Sequence, residues 1–343
     1  MHIFEVDYVT TLPKSGNAPS LTISGDENKT FLVGFYEYGV GLISSGYCKT
    51  NQTIYSESRQ WYTEWFIRVE DEEGEVVHQE FFDIRNKKVF IKMDAYALGD
   101  NIAWIPYVEL FRKKHNCTVI CSTFHNYLFI QDYPEILFVE PNTVINNIYI
   151  QYYIGASNDG NTIYSPFKVN EIPLQKVASS ILGLDFEEIN PRLFSTKKTL
   201  SIAKKYVTLS EFGSTENKSW GYKNGWQEVV DFLVKKGYNV VVISKEKTSL
   251  VNVIDLSGNI ELKSRITDIQ HAEFHLGVSS GLSWLAWSLG KHVFMISDVT
   301  PIWHEFQSNI SRICANELES VDYNAEGQTK PREVIKKILE MGF

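Results

Sequence analysis

The rhythm of apolar and polar positions along the 343 residues changes near Lys87. Before it, apolar and polar residues alternate in places among many Thr, Ser, Tyr and Gly, as half-buried antiparallel strands do. Residues 61–69 make one expected strand and 75–78, extended by Phe81 and Phe82, another, with the acidic turn 70–74 between them. After Lys87, short unbroken apolar runs alternate with helical stretches. Residues 88–93, 118–122 and 136–140 read as buried strands. One helix follows Gly99 towards His115, and another runs from Pro173 to Gly183, a Pro start and a Gly stop being the favoured asymmetry. Pro106 inside the first of these predicts a kink, or a helix that effectively begins there.

A second series starts near Lys205. Residues 206–210, 239–243, 274–278 and 293–296 read as strands, and 226–236 and 282–289 as helices, each followed by a glycine. The run 293–296 is expected to close the series. Strands alternating with helices predict parallel α/β sheets. The organisation expected is therefore a β-rich module over 1–85, an α/β lobe over 86–195 and a second α/β lobe over 196–343.

Composition narrows the function classes. A formal net charge of −9 argues against a general affinity for nucleic acid, which needs surplus Lys and Arg. Hydrophobic residues at 43% and charged residues at 22% are ordinary for a globular chain. The start, Met1-His2-Ile3-Phe4-Glu5-Val6-Asp7, lacks the pattern of a secretory signal, and no run approaches the length of a membrane span. Cys48, Cys117, Cys121 and Cys314 follow no disulfide spacing. Reduced thiols and a cytoplasmic location are expected.

Three segments fall where strands end and helices or loops begin, the places where open α/β sheets collect ligands. Leu98-Gly99-Asp100-Asn101 offers a tight turn and a carboxylate, although a helix N-cap is the simpler local role for Asp100. Gly277-Val278-Ser279-Ser280-Gly281-Leu282-Ser283 leads a strand into a helix start whose unpaired N–H groups suit a diphosphate. It matches neither a P-loop nor a dinucleotide fingerprint, and an ordinary turn with a serine cap accounts for it equally well. Ser214-Thr215-Glu216-Asn217-Lys218 supplies hydroxyls and a cation that could offset diphosphate charge, or a solvated loop. What sets the three apart is that two facing lobes would bring them into one cleft. Cys117 and Cys121 read as core thiols, the His271/His275 pair lacks a metal-site context, and Trp284 with Trp287 reads as a packing face.

In order along the chain, several motifs resemble the bacterial autotransporter heptosyltransferases. They are Met93-Asp94 with Leu98-Gly99-Asp100-Asn101-Ile102-Ala103-Trp104, Pro106-Tyr107-Val108-Glu109, Tyr133-Pro134-Glu135, Pro173-Leu174-Gln175, Gly225-Trp226-Gln227-Glu228 and residues 277–287. The Gly-Asp turn and Ser-Gly helix start are also similar, more distantly, to lipopolysaccharide heptosyltransferases. The resemblance covers roughly residues 20 to 315.

It implies a GT-B-like fold: two Rossmann-like lobes with a cleft between them, preceded by the β module. It further implies a metal-independent inverting transfer from ADP-heptose to Ser hydroxyls of an autotransporter. Asp100 would be the general base, with Gly99 and Asn101 on the acceptor side. Ser214, Thr215, Lys218, Ser279, Ser280, Gly281, Leu282, Thr300 and Glu305 would surround the donor. The partners implied are a nucleotide-sugar donor and an acceptor protein or glycan, with no nucleic acid and no membrane span; the oligomeric state stays open. The family's carboxyl-terminal iron-binding cysteine cluster has no counterpart here, since Cys314 stands alone and 317–343 hold no cysteine. No cofactor and no iron are therefore expected. Two alternatives remain: a transferase using another nucleotide sugar to build lipopolysaccharide, capsule or other glycan, and a non-catalytic nucleotide-sugar-binding or scaffold relative.

Overall fold

The unbroken apolar runs pair as two separate parallel sheets whose central strands are buried on both faces. A computed structural model describes residues 1–9, 11–12, 16–57, 59–93, 95–155, 166–193, 205–214, 216–322, 324–325 and 328–343. Asp94, Thr215 and the expected lobe boundary near 195 lie outside the described residues.

The amino-terminal part contains antiparallel sheets. His2–Asp7, Ser20–Gly25 and Gln52–Tyr55 form one, while Thr30–Glu37 pairs with Gly41–Lys49 on one side and Trp65–Glu70 on the other, followed by Val76–Phe81. Their inward faces contribute Leu21, Ile23, Val33, Phe35, Ile67 and Val69 to the core. The strand expected from residue 61 begins only at Trp65. Residues ahead of it dock on the next lobe instead: the Tyr62 N–H donates to the carbonyl of Ile181 at 2.7 Å, and the Tyr62 ring meets those of Phe111 and His115.

In the first lobe the strand order is Leu137–Val139, Thr118–Thr123, Lys88–Met93, Ile150–Tyr153, all parallel. The last of these lies in a stretch that reads as irregular in sequence; its ladder is supplied by Lys88–Met93. Helix Leu98–His115 runs unbroken through Pro106, which corrects the expected start there. Residues 101–109 around it are all buried, so packing outweighs the one backbone bond that proline removes.

The second lobe holds six parallel strands in the order Ile254–Asp255, Asn239–Val242, Tyr206–Ser210, Phe274–Val278, His292–Ile296, Ile310–Ile313. Numbered along the chain this is 3-2-1-4-5-6, the doubly wound order of dinucleotide-type sheets, whose ligand crevice opens where the order reverses. The reversal here lies between Tyr206–Ser210 and Phe274–Val278, the strands that feed the Ser214–Lys218 loop and the Ser279–Gly281 turn. The series does not close at 296, because Ile310–Ile313 adds an edge and helix Pro331–Glu340 packs behind it. The first lobe's core continues across the junction into Trp284, Trp287 and Phe306. Among the described residues no helix is long and apolar enough to cross a membrane.

Candidate active site

Two helix starts, one from each lobe, come into close contact. A side-chain carbon on Gly281 would lie 2.7 Å from Leu98 Cβ and 3.2 Å from the Gly99 nitrogen. One on Gly99 would lie 2.9 Å from Trp284 Cδ1. Each glycine is therefore demanded by the other lobe's close approach. Helix Leu98–His115 is preceded by Ala97, and helix Gly281–Ser288 by Ser280 in an extended conformation; neither flanking residue makes a side-chain cap bond. Asp100 sits inside the first turn, so the N-cap role suggested by local sequence is not the one it plays. The Ser280 hydroxyl is buried without a partner. Both helix starts thus leave first-turn N–H groups and their partial positive charge without a side-chain cap.

Beside this junction is a cavity of about 470 Å³, a size that suits a small ligand. Its first-lobe wall is Ala97, Leu98, Gly99 and Asp100, with Val169, Asn170 and Leu174. The second lobe contributes Ser214, Asn217, Lys218, Ser279, Ser280, Gly281, Trp284, His304, Glu305 and Val321. Burial pushes the Asp100 carboxyl up to about 6, against the pull of the Lys218 charge across the cavity. A carboxylate so tuned is a competent proton acceptor near neutral pH.

Glu305 is fixed within that wall. Ser279 Oγ donates to its Oε1 at 2.6 Å, Thr300 Oγ1 to the same oxygen at 2.9 Å, and Arg312 to Oε2 at 2.6 Å. Burial alone would raise the carboxyl; the Arg312 guanidinium foremost, then His304 and these hydroxyls, hold it below the ordinary range. Burial keeps His304 below its usual value against the pull of Glu305, and the Lys218 and Arg312 charges add to the lowering. Beneath the Ser279–Gly281 turn, buried His275 bridges strands through Thr208 Oγ1 at 3.0 Å and Ser210 Oγ at 3.1 Å. Burial lowers it to about 3, so its ring is neutral.

Of the residues singled out in the sequence, Gly99, Asp100, Ser214, Lys218, Ser279, Ser280, Gly281 and Glu305 line the cavity. Asn101 does not. Its side chain is fully buried and donates to the carbonyls of Ala95 and Ala97 while accepting from Thr123, so it holds the turn rather than facing an acceptor. Thr300 stands behind Glu305, and Leu282 packs against the core without lining the cavity. Sequence reasoning missed His304, Asn170, Asn217 and Leu174, and took Trp284 for packing alone. Only the polar run around Lys218 carried a hint of Asn217.

Residues 176–301 match glycosyltransferase family 9 (heptosyltransferase). The autotransporter heptosyltransferase BAHTCr of Citrobacter rodentium is 30% identical over 263 residues, 73% of this chain and 64% of its own. The chain is a homologue of the autotransporter heptosyltransferases. Another homologue, the inactive autotransporter heptosyltransferase BimC of Burkholderia thailandensis, is 27% identical over 298 residues, 81% of this chain and 70% of its own. Among solved structures, the iron-containing dodecameric glycosyltransferase TibC of enterotoxigenic E. coli superimposes with a TM-score of 0.83 at 21% identity, covering 98% of this chain and 95% of that one. The same enzyme has been solved with ADP-D-beta-D-heptose. The fold is accordingly GT-B-like, with antiparallel sheets at the amino terminus.

The described residues do not fit an iron centre. Among the described residues no group of three or more His, Cys, Asp or Glu side chains could hold a metal ion. The cysteines are dispersed, Cys48 in the amino-terminal sheets, Cys117 and Cys121 in the first lobe, Cys314 in the second.

Proposed function

We propose that this heptosyltransferase homologue transfers a heptose from ADP-heptose to serine hydroxyls of an autotransporter, inverting the anomeric carbon. The observation that carries the reading is that one cavity has Asp100 on one lobe, and Lys218 and the uncapped helix start at Gly281 on the other. A serine hydroxyl is a weak nucleophile. Asp100 accepts its proton as the oxygen bonds to the anomeric carbon, and the bond to the diphosphate oxygen breaks on the opposite face. The charge that develops on the departing ADP meets Lys218 and the first-turn N–H groups of helix Gly281–Ser288. Asp100 afterwards releases its proton to solvent, which a carboxyl near 6 does readily at neutral pH.

The ADP-heptose complex of TibC supports this choice of donor. BimC shows that homologues can be inactive; the raised Asp100 carboxyl facing a cation favours the catalytic reading here. A cytoplasmic site of action belongs to the same proposal, as does self-association, which the dodecameric TibC suggests.

The diphosphate site is tested by calorimetry with ADP. The protein should bind it, and Lys218→Ala should weaken binding about tenfold to hundredfold, the loss of one charge-assisted contact. Equal affinity in the two proteins would remove Lys218 from the site.

A further inference from the structure

We infer that Glu188 is a positioning residue for the transfer: its carboxylate latches the loop 301–308, which bears His304 and Glu305 of the cavity wall, to the first lobe. The inference rests on the proposed function, because it is the distance between base and donor that the latch would set.

The backbone around Glu188 belongs to the first lobe. Buried Gln175 pairs with Ile189 in both directions, receiving its N–H at 3.1 Å and donating to its carbonyl at 2.7 Å. The Tyr107 hydroxyl donates to the Glu187 carbonyl at 2.7 Å, and the Arg192 N–H donates to the Tyr133 hydroxyl at 3.0 Å. From this anchored position both carboxylate oxygens reach the second lobe. Oε1 accepts the Ser308 N–H at 3.0 Å and the Ser308 hydroxyl at 2.5 Å, while Oε2 accepts the Gln307 N–H. Ser308 Oγ in turn accepts from Trp287 Nε1 at 3.1 Å.

The loop so held is a built element. The Gln307 side chain closes it by donating to the carbonyls of Ile302 at 2.9 Å and Glu305 at 2.8 Å. A second first-lobe bond runs from the Leu174 N–H to the His304 carbonyl at 2.8 Å. The Glu305 side chain meanwhile points back to Ser279 and Arg312 of the second lobe. The loop is therefore bonded to both lobes at once, and Glu188 supplies three of its bonds to the first. Asp100 stands on the first lobe, and Lys218 with the Ser279–Gly281 turn on the second. A base and a donor held by different lobes react at a rate set by how the lobes are fixed, and misplacement by about 1 Å can cost a hundredfold.

The test separates kcat from donor affinity. In Glu188→Ala, kcat should fall about tenfold to hundredfold, while ADP affinity stays within about twofold because the diphosphate site lies on one lobe. Amide exchange should speed up at 304–308 and not across the sheets. Glu188→Gln, which keeps one acceptor oxygen, should recover part of the rate. Unchanged kcat in Glu188→Ala would overturn the inference, as would a parallel loss of rate, ADP affinity and protection throughout the molecule. If the unaltered protein transfers no sugar, the proposed function fails first. The exchange measurement then still decides the latch: faster exchange confined to 304–308 upholds it, and unchanged exchange removes it.

Discussion

Asp100→Asn should abolish the proposed transfer and at the same time make the protein more stable above pH 7. The amide keeps the shape of the side chain but cannot accept the serine proton, and removing a positioned general base costs about 10²- to 10⁴-fold in rate. The stability change follows from the same burial. The Asp100 carboxyl stands at about 6 in the folded protein against an ordinary 3.8, so the folded state prefers the protonated form. That preference contributes stability that is complete below about pH 4 and is lost as pH rises through about 6. Above pH 7 the ionised group costs up to about 3 kcal/mol, which asparagine does not incur. Denaturant unfolding at pH 4 and pH 8 should show the variant gaining only at the higher pH. The unaltered enzyme's rate should fall about tenfold per unit as pH drops below about 6. A variant that retains a tenth of the rate, or that is less stable at pH 8, would not fit an enclosed catalytic carboxylate.

Arg312→Met should be the most destabilising single change near the cavity. The Arg312–Glu305 pair is 2.6 Å apart, with side chains 7% and 1% exposed. Arg312 also donates to the Thr300 carbonyl at 2.8 Å. Removing the guanidinium strands a buried carboxylate, a change that costs about 3 to 5 kcal/mol. Glu305 is held below the ordinary carboxylate range, so the pair stabilises the protein above that range and stops doing so as pH falls through the lowered value. In Arg312→Met the carboxyl is free to rise, so the deficit should shrink as acid protonates it. Arg312→Met combined with Glu305→Gln should recover much of the loss, since no charge is then left buried. Unfolding of the single and double variants at pH 5 and pH 8 checks all three statements; a single-variant loss below about 1 kcal/mol would mean that the hydroxyls alone hold Glu305.

Asp100 lines one wall of the cavity and Arg312 braces Glu305 on the other, and the sequence showed those walls unequally. Strands such as Asn239–Val242 and Phe274–Val278 were legible because a parallel strand buried on both faces must be apolar throughout. Ile310–Ile313 was not, because it carries Ser311 and Arg312, and the bonds to Glu305 and Thr300 are what make a buried arginine tolerable there. The Gly-Asp turn was visible, but the role of Asp100 was not: whether it caps or faces a cleft depends on where the helix begins. That start is fixed by Trp284 and Gly281 of the other lobe. Asn101 misled for the converse reason, since its buried bonds to Ala95 and Ala97 leave no local trace. His304, Asn170 and Glu188 matter through contacts across the lobe junction, and no periodicity encodes a partner more than a hundred residues away.

The central claim is tested most directly by incubating the purified protein with ADP-heptose and an autotransporter passenger and following heptose on serine by mass spectrometry. The account predicts serine modified by heptose, in the inverted anomeric configuration, with matching release of ADP, and neither product with Asp100→Asn. Modification that persists in Asp100→Asn, or no transfer by an unaltered protein that binds ADP-heptose, would contradict it.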